Sequence, residues 1–169
     1  MNADVIAMIE GHHERHDGSG YPNGTVGADI PVFGRIAGLI DTFDAMTTKR
    51  PYAAAKSAYD ALRELNSLSG TVFQRELVEQ FVQALGMFPT GSLVELNTGE
   101  IAIVIEQNRV RRLRPKLMLL LDKDKLPVPS HDTINLRNIP VSPGDPQSRW
   151  IERGLEPGAH GLDPKDFFV

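Results

Sequence analysis

The chain has 169 residues, 41% hydrophobic and 24% charged, with a formal net charge of −4. It is long enough to bury a core, and its acidic balance argues against the basic stripe of a nucleic-acid-binding protein. No apolar run reaches the ~18 residues of a membrane span, and the acidic start MNADVIAMIEGHHE lacks the basic region of a signal peptide.

The absence of cysteine excludes disulfides and thiolate ligands. It suits a cytoplasmic protein, and any bound metal must then rely on His and carboxylates.

Val5, Met8, Ile9 and His12 recur at helical spacing and predict a first helix with its histidines on or near the buried face. The stripe is already running by Val5, which leaves little room for a capped start. From Asp17 to Pro31, Gly18, Gly20, Pro22, Gly24, Gly27 and Pro31 forbid helix and strand and predict a loop.

A second helix is expected from Phe33 to Thr48. Ile36, Ile40 and Phe43 line one side, while Ala37, Asp41, Asp44 and Thr48 line another. Gly34 and Gly38 each cost ~1 kcal/mol of helix propensity against Ala, which predicts that something packs very close there. Ser57 with Asp60 reads as an N-cap, followed by the apolar face of Ala58, Ala61, Leu62, Leu65 and Leu68 and a stop at Gly70. Leu77, Val78, Phe81, Val82 and Leu85 make a fourth amphipathic helix, ended by Gly86 and Pro89.

From Gly91 the period changes. SLVEL and IAIVIE read as strands joined by a tight turn at Thr98-Gly99. RPKLMLLLD gives a third strand, and a fourth is expected near Thr133 to Leu136. The predicted architecture is a mainly α body over residues 1–88 and a small antiparallel β-meander over 89–139. A Pro/Gly-rich tail over 140–169 is expected to be loosely ordered, with Trp150 and Ile151 anchoring a short helix. Arg109, Arg111, Arg112 and Arg114 form a basic cluster, read as a solvated turn, with a partner or nucleotide contact as the alternative.

The chemistry concentrates in HHERHDGSGYPNG, His12 to Gly24. Adjacent helical residues point about 100° apart, so His12 and His13 suit two neighbouring metals, or one metal and one phosphate oxygen. Asp41 offers an oxygen ligand of the kind found in two-metal hydrolytic sites. Spacing alone leaves a second reading open, a polar helix end running into a loop.

HHERHDGSGYP followed by IPVFGRIAGLIDTFDAMTTKRPY closely resembles the HD-GYP family of bacterial metal-dependent phosphodiesterases that hydrolyse cyclic di-GMP. The resemblance runs from about His12 to Leu85. It implies an all-α HD-type bundle with a di- or trinuclear Fe or Mn centre. His12, His13 and Asp41 match metal ligands, and Asp44 matches an aspartate that orients a lysine near the substrate phosphate. Tyr21 and Arg50 match residues that meet the bound dinucleotide and its phosphates.

Glu14 and Asp17 are motif residues expected to hydrogen-bond behind the ligands, and His16 falls at a variable position expected to be solvated. Ala53 stands where the family often has a basic residue. In the family the eponymous His-Asp pair, its lysine and further ligands lie upstream of the HHE motif. The expectation is therefore a truncated gene model, gene fragment or split protein, inactive alone, whose lost upstream part held the remaining HD segment and any sensory region. Two alternatives stand beside it. One is another nucleotide phosphohydrolase of the HD superfamily. The other is a non-catalytic module that binds protein partners, such as GGDEF-type diguanylate cyclases, through its GYP loop.

Overall fold

A computed structural model describes residues 2–130, 132–142 and 144–168. The chain forms two compact units, one from Met1–Thr48 with Ala61–Ala84, the other from Lys49–Asp60 with Leu85–Val169.

The first unit is helical. Helix α1 spans Ala3–Gly11 and α2 spans Val32–Thr47. Most of α3 (Ala58–Ser67) and nearly all of α4 (Arg75–Leu85) complete it. Contrary to the expectation of an uncapped start, Asn2 caps α1, its Oδ1 accepting from the Asp4 N–H at 3.0 Å. Asparagine is among the best N-caps because its side-chain oxygen reaches an orphan amide of the first turn.

The apolar stripe of α1 also departs from expectation. Val5, Met8 and Ile9 are 39%, 37% and 54% exposed, and only Gly11 is buried. The cause is the crossing with α2, which is made by glycines. A methyl added at Gly34 would lie 3.1 Å from the Gly11 Cα, and one at Gly38 would collide with the His12 carbonyl oxygen. The two glycines of α2 thus permit the close approach that their spacing predicts, offsetting their poor helix propensity.

On its other side α2 buries Leu39 in a cluster with Leu65, Phe73 and Val78. Phe43 joins this cluster and meets Phe81 edge-on at 5.4 Å. Ile36 and Ile40, expected to line the same side, are exposed, because Leu39 takes the position facing the other helices.

The second unit is built on one antiparallel sheet with strand order β4-β3-β2-β1-β5. The strands are β1 (Leu93–Leu96), β2 (Ile101–Glu106), β3 (Lys116–Leu121), β4 (Thr133–Asn135) and β5 (Ile151–Leu155). Alternate residues go to opposite faces. Val94, Ala102, Val104, Leu117 and Leu136 fill one cluster, and Leu93, Ile101, Ile103, Leu120 and Leu155 fill the other. Burial on both faces explains why IAIVI is continuously apolar rather than alternating. Tyr59 stacks on Phe88 at 5.0 Å in the first cluster, and Ser57 caps α3 as expected, accepting from the Asp60 N–H at 3.1 Å.

The tail is the main correction to the predicted architecture. Ile151 begins a strand and not a helix, and β5 pairs with β1 at Leu93↔Leu155 and Leu96↔Ile151. Without it β1 would present a row of unpaired backbone groups, an edge that proteins generally cover. The approach to β5 is ordered by side chains. Ser148, 1% exposed, accepts from the Ser142 N–H at 2.8 Å. Arg149 forks onto Glu100 at 3.0 and 3.2 Å. Asn97 donates to the Ser148 carbonyl and accepts from the Trp150 N–H. No helix among the described residues is long and apolar enough to cross a membrane.

Candidate functional site

Five of the six residues singled out by motif, His12, His13, Tyr21, Asp41 and Asp44, lie in the first unit, and Arg50 lies in the second. His12 is the C-cap of α1. Its Nδ1 sits 2.6 Å from the Ile9 carbonyl oxygen, so the proton belongs on Nδ1 and the Nε2 lone pair is left available. A metal-binding imidazole is usually oriented in this way, by giving its other N–H to a carbonyl or carboxylate. The His13 ring packs on that of His12 with centroids 3.9 Å apart, and the Tyr21 ring lies 4.6 Å from that of His13.

The glycine loop is folded back onto this pair. The Tyr21 N–H donates to the His13 carbonyl at 3.3 Å. A side chain at Gly20 would run into the backbone of His13, Glu14 and Arg15, so only glycine allows the approach. Glu14 holds the loop in place. It is 6% exposed, and its two carboxylate oxygens accept from the backbone N–H groups of Asn23 at 2.8 Å and Thr25 at 2.9 Å. Its expected place behind the imidazoles is therefore corrected: both oxygens serve the loop backbone.

Asp17 likewise acts locally. It accepts from the Ser19 hydroxyl at 2.6 Å and the Ser19 N–H at 3.0 Å, and these bonds hold its carboxyl below the usual value. His16, expected to be solvated, is packed in. Its N–H donates to the Val72 carbonyl at 2.9 Å, and its Nδ1 is buried without a partner among the described residues.

Asp41 is exposed on α2. It lies three residues beyond Gly38, hence on the helix face that meets His12 and one turn further along. Asp44 is exposed as well and accepts from the Thr48 hydroxyl at 3.4 Å. Arg50 is exposed in a tight turn closed by its backbone bonds to Ala53 at 3.2 and 3.3 Å.

Among the described residues no three His, Cys, Asp or Glu side chains gather closely enough to hold a metal ion. The structure brings together two imidazoles and a tyrosine, and it does not bring Asp41 into a ready-made ligand set with them. The donors present do not by themselves fit a metal centre.

Sequence reasoning passed over Arg15, which shapes the site. Its Nη1 donates to the carbonyls of His12 and Glu14, both at 3.1 Å, and its guanidinium lies 5.4 Å over the Phe73 ring. A cation four residues beyond the end of α1, close enough to reach back to the carbonyl of its C-cap, was the local signal. Its aromatic partner lies far along the chain and gave none.

Residues 2–77 match the HD domain family, and residues 93–140 match a KOW domain associated with HD domains. The first segment is an HD domain of the HD-GYP kind. The chain is 34% identical over 130 residues to the cyclic di-GMP phosphodiesterase PA4108 of Pseudomonas aeruginosa, covering 76% of this chain and 31% of that protein. It is 49% identical over 72 residues to a cyclic di-GMP phosphodiesterase of Thermotoga maritima, covering 43% of this chain and 20% of the relative. A 3'3'-cGAMP-specific phosphodiesterase of Vibrio cholerae is 43% identical over 72 residues, covering 43% and 14%. The chain thus spans less than a third of these relatives' lengths. All six motif residues fall inside the HD segment, and strands β1 to β4 carry the KOW match.

Proposed function

We propose that the HD segment carries part of a phosphodiesterase site for cyclic di-GMP. In this reading His12, through Nε2, and His13 and Asp41 are metal donors, with Fe or Mn the expected ions. Tyr21 and Arg50 are substrate contacts, and Asp44 positions a cation at the phosphate. The observation that carries the reading is the closure of the GYP loop on the histidine pair: the Tyr21 ring packs at 4.6 Å, tilted, on that of His13 while the Glu14 carboxylate clamps the loop backbone at Asn23 and Thr25. A bare polar helix end has no need of such a clamp. Relatives named for cyclic di-GMP and for 3'3'-cGAMP support a cyclic dinucleotide, and the more extensive match favours cyclic di-GMP.

The described residues supply too few converging donors for a metal centre. The chain alone should therefore bind Mn weakly and hydrolyse no cyclic di-GMP above background, since loss even of residues behind the ligands costs about 10- to 100-fold in metal affinity. The test is Mn titration and turnover of cyclic di-GMP and 3'3'-cGAMP by the purified chain, with cyclic di-GMP binding compared in Tyr21→Ala and Arg50→Ala. Weakened nucleotide binding in both variants supports the site. Turnover that disappears in Asp41→Asn would show that the donor set is complete, for instance through a second copy. Binding unaffected by both substitutions would remove Tyr21 and Arg50 from it.

One observation favours a second reading. Tyr21 is 61% exposed on its clamped loop, a rigid aromatic anchor of the kind that protein interfaces use. A non-catalytic HD module binding a partner such as a diguanylate cyclase through this loop would keep Tyr21 and be indifferent to His13→Ala.

A further inference from the structure

The basic cluster beyond β2 has a second feature that its sequence does not display, a cavity of about 260 Å³ at the end of the β2–β3–β4 sheet in the second unit. Arg109, Lys116 and Arg137 line it, with Asn108, Asn135 and the single carboxylate of Glu106. The strand register explains the grouping. Lys116 pairs with Glu106 on one side and with Asn135 on the other, so the three side chains stand in one row on the same face. Arg109 enters from the loop after β2, and Arg137 from the turn after β4.

We propose that this cavity binds a terminal phosphate group, either free phosphate or a phosphomonoester on a small molecule. Three cations face one carboxylate, and none of the three is in an ion pair among the described residues. The two asparagines add donors. Asn108 Oδ1 accepts from the N–H groups of Val110 and Arg111 at 3.1 and 3.0 Å, and Asn135 Oδ1 accepts from that of Arg137 at 3.1 Å. Those bonds fix the amide orientation, so each side chain has only its NH₂ left to offer, a donor suited to an anion. Neither amide nitrogen has a partner among the described residues.

Arg111 and Arg112, exposed on the same turn, raise the local positive field within a chain of net charge −4. No aromatic side chain lines the cavity, so nothing there stacks a nucleobase. Its volume falls just below the ~300–1,000 Å³ of sites for drug-sized ligands, which suits a phosphate with a small attached group. This inference does not depend on the activity proposed for the HD segment.

The test is an NMR titration of the ¹⁵N-labelled full chain with sodium phosphate, guanosine 5′-monophosphate and guanosine, at matched ionic strength. Saturable shifts of the Asn108 and Asn135 side-chain amides with the first two, and none with guanosine, are expected. Tighter binding of the monophosphate than of phosphate identifies an organic phosphomonoester as the ligand class, and equal binding identifies the free ion. Lys116→Gln with Arg137→Gln should weaken binding about tenfold or more, as removal of two charged donors requires, while Glu106→Gln tightens it. Glu106 and Arg137 are exposed and Lys116 is half-buried, so an unchanged thermal midpoint in these variants separates lost binding from lost fold. Shifts that do not saturate, or an affinity untouched by the double substitution, would overturn the proposal.

Discussion

The two units solve the burial problem differently. In the second, Leu93, Val94, Ile101, Ile103, Val104, Leu117 and Leu136 are all at most 1% exposed, and both sheet faces are covered by the chain itself. In the first, Val5, Ile9, Phe33 and Ile40 on α1 and α2 are between 39% and 54% exposed, and the helices touch through glycine. The contrast teaches where each unit keeps its information. The β unit spends its apolar residues on a sealed core, while the helix pair forgoes burial at its crossing to bring His12 against Gly38 and set the histidine pair under the GYP loop.

If that contrast is right, the largest stability loss should come from the sealed sheet. Ile103→Ala, at a position with no exposure, should cost about 2–5 kcal/mol, read as a shift of the denaturant midpoint. A cost below about 1 kcal/mol would mean that the sheet is far looser than its burial implies. At the helix crossing the expected sign is unusual. In an ordinary helix Gly→Ala gains ~1 kcal/mol, but at Gly38 the new methyl collides with the His12 carbonyl, and overpacking of that kind costs about 1–3 kcal/mol. Gly38→Ala should therefore destabilise the chain and move the His12 and His13 imidazole resonances. A stabilised variant would show that the helices are not in contact there.

The same contrast explains how much could be read beforehand. The four helices and the first strands were legible because apolar spacing, Ser57 and the Thr98-Gly99 turn are local signals. The close approach at Gly34 and Gly38 was legible as well, since two glycines inside a helix need a reason. The strand at Ile151–Leu155 was not. Its partner β1 lies more than fifty residues earlier, and glycines and prolines surround it. The chemistry-bearing positions stood out through HHE and GYP, but the roles within them did not. Glu14 reads as a ligand neighbour in sequence, and only the fold reveals that its oxygens hold Asn23 and Thr25. Whether Asp41 joins the histidines depends on side-chain convergence, which helical spacing does not specify.

Two carboxylates sharpen the comparison at a smaller scale. Glu14→Ala strips two loop N–H groups of their acceptor, at about 1–3 kcal/mol, and should speed hydrogen exchange at Asn23 and Thr25 while leaving β2 protected. In the β unit Glu95 receives Lys125 Nζ at 2.7 Å and Arg153 at 2.6–2.7 Å, and the Lys125 bond foremost holds its carboxyl below the usual 4.5. A depressed folded pKa gives stability that is present above the unfolded value and is lost as the pH falls through the folded one. Acid titration below pH ~4.5 should thus weaken the wild type more than Glu95→Gln, and the difference between the two should shrink to nothing once Glu95 is protonated. Parallel acid profiles for the two proteins would show that this ion cluster contributes nothing to the closure of β5 on β1.

The smallest expected effect is also the most direct test of the contrast. Ile9 is 54% exposed, the most open of the large apolar residues on α1, and Ile40 on α2 is 49% exposed. An isoleucine so exposed has little burial to lose, and substitutions away from core contacts usually stay within about 0.5 kcal/mol. Ile9→Ser and Ile40→Ser should therefore leave the denaturant midpoint nearly unmoved, in contrast with Ile103→Ala in the sheet. Their effect should instead appear in association. Several apolar side chains exposed on one helix pair form the kind of patch that promotes self-association, and removing two of them should lower any oligomer fraction seen by sedimentation velocity. A loss above about 1.5 kcal/mol from either serine would mean that this face is buried in solution, and the first unit would then have a second core where the structure places open surface.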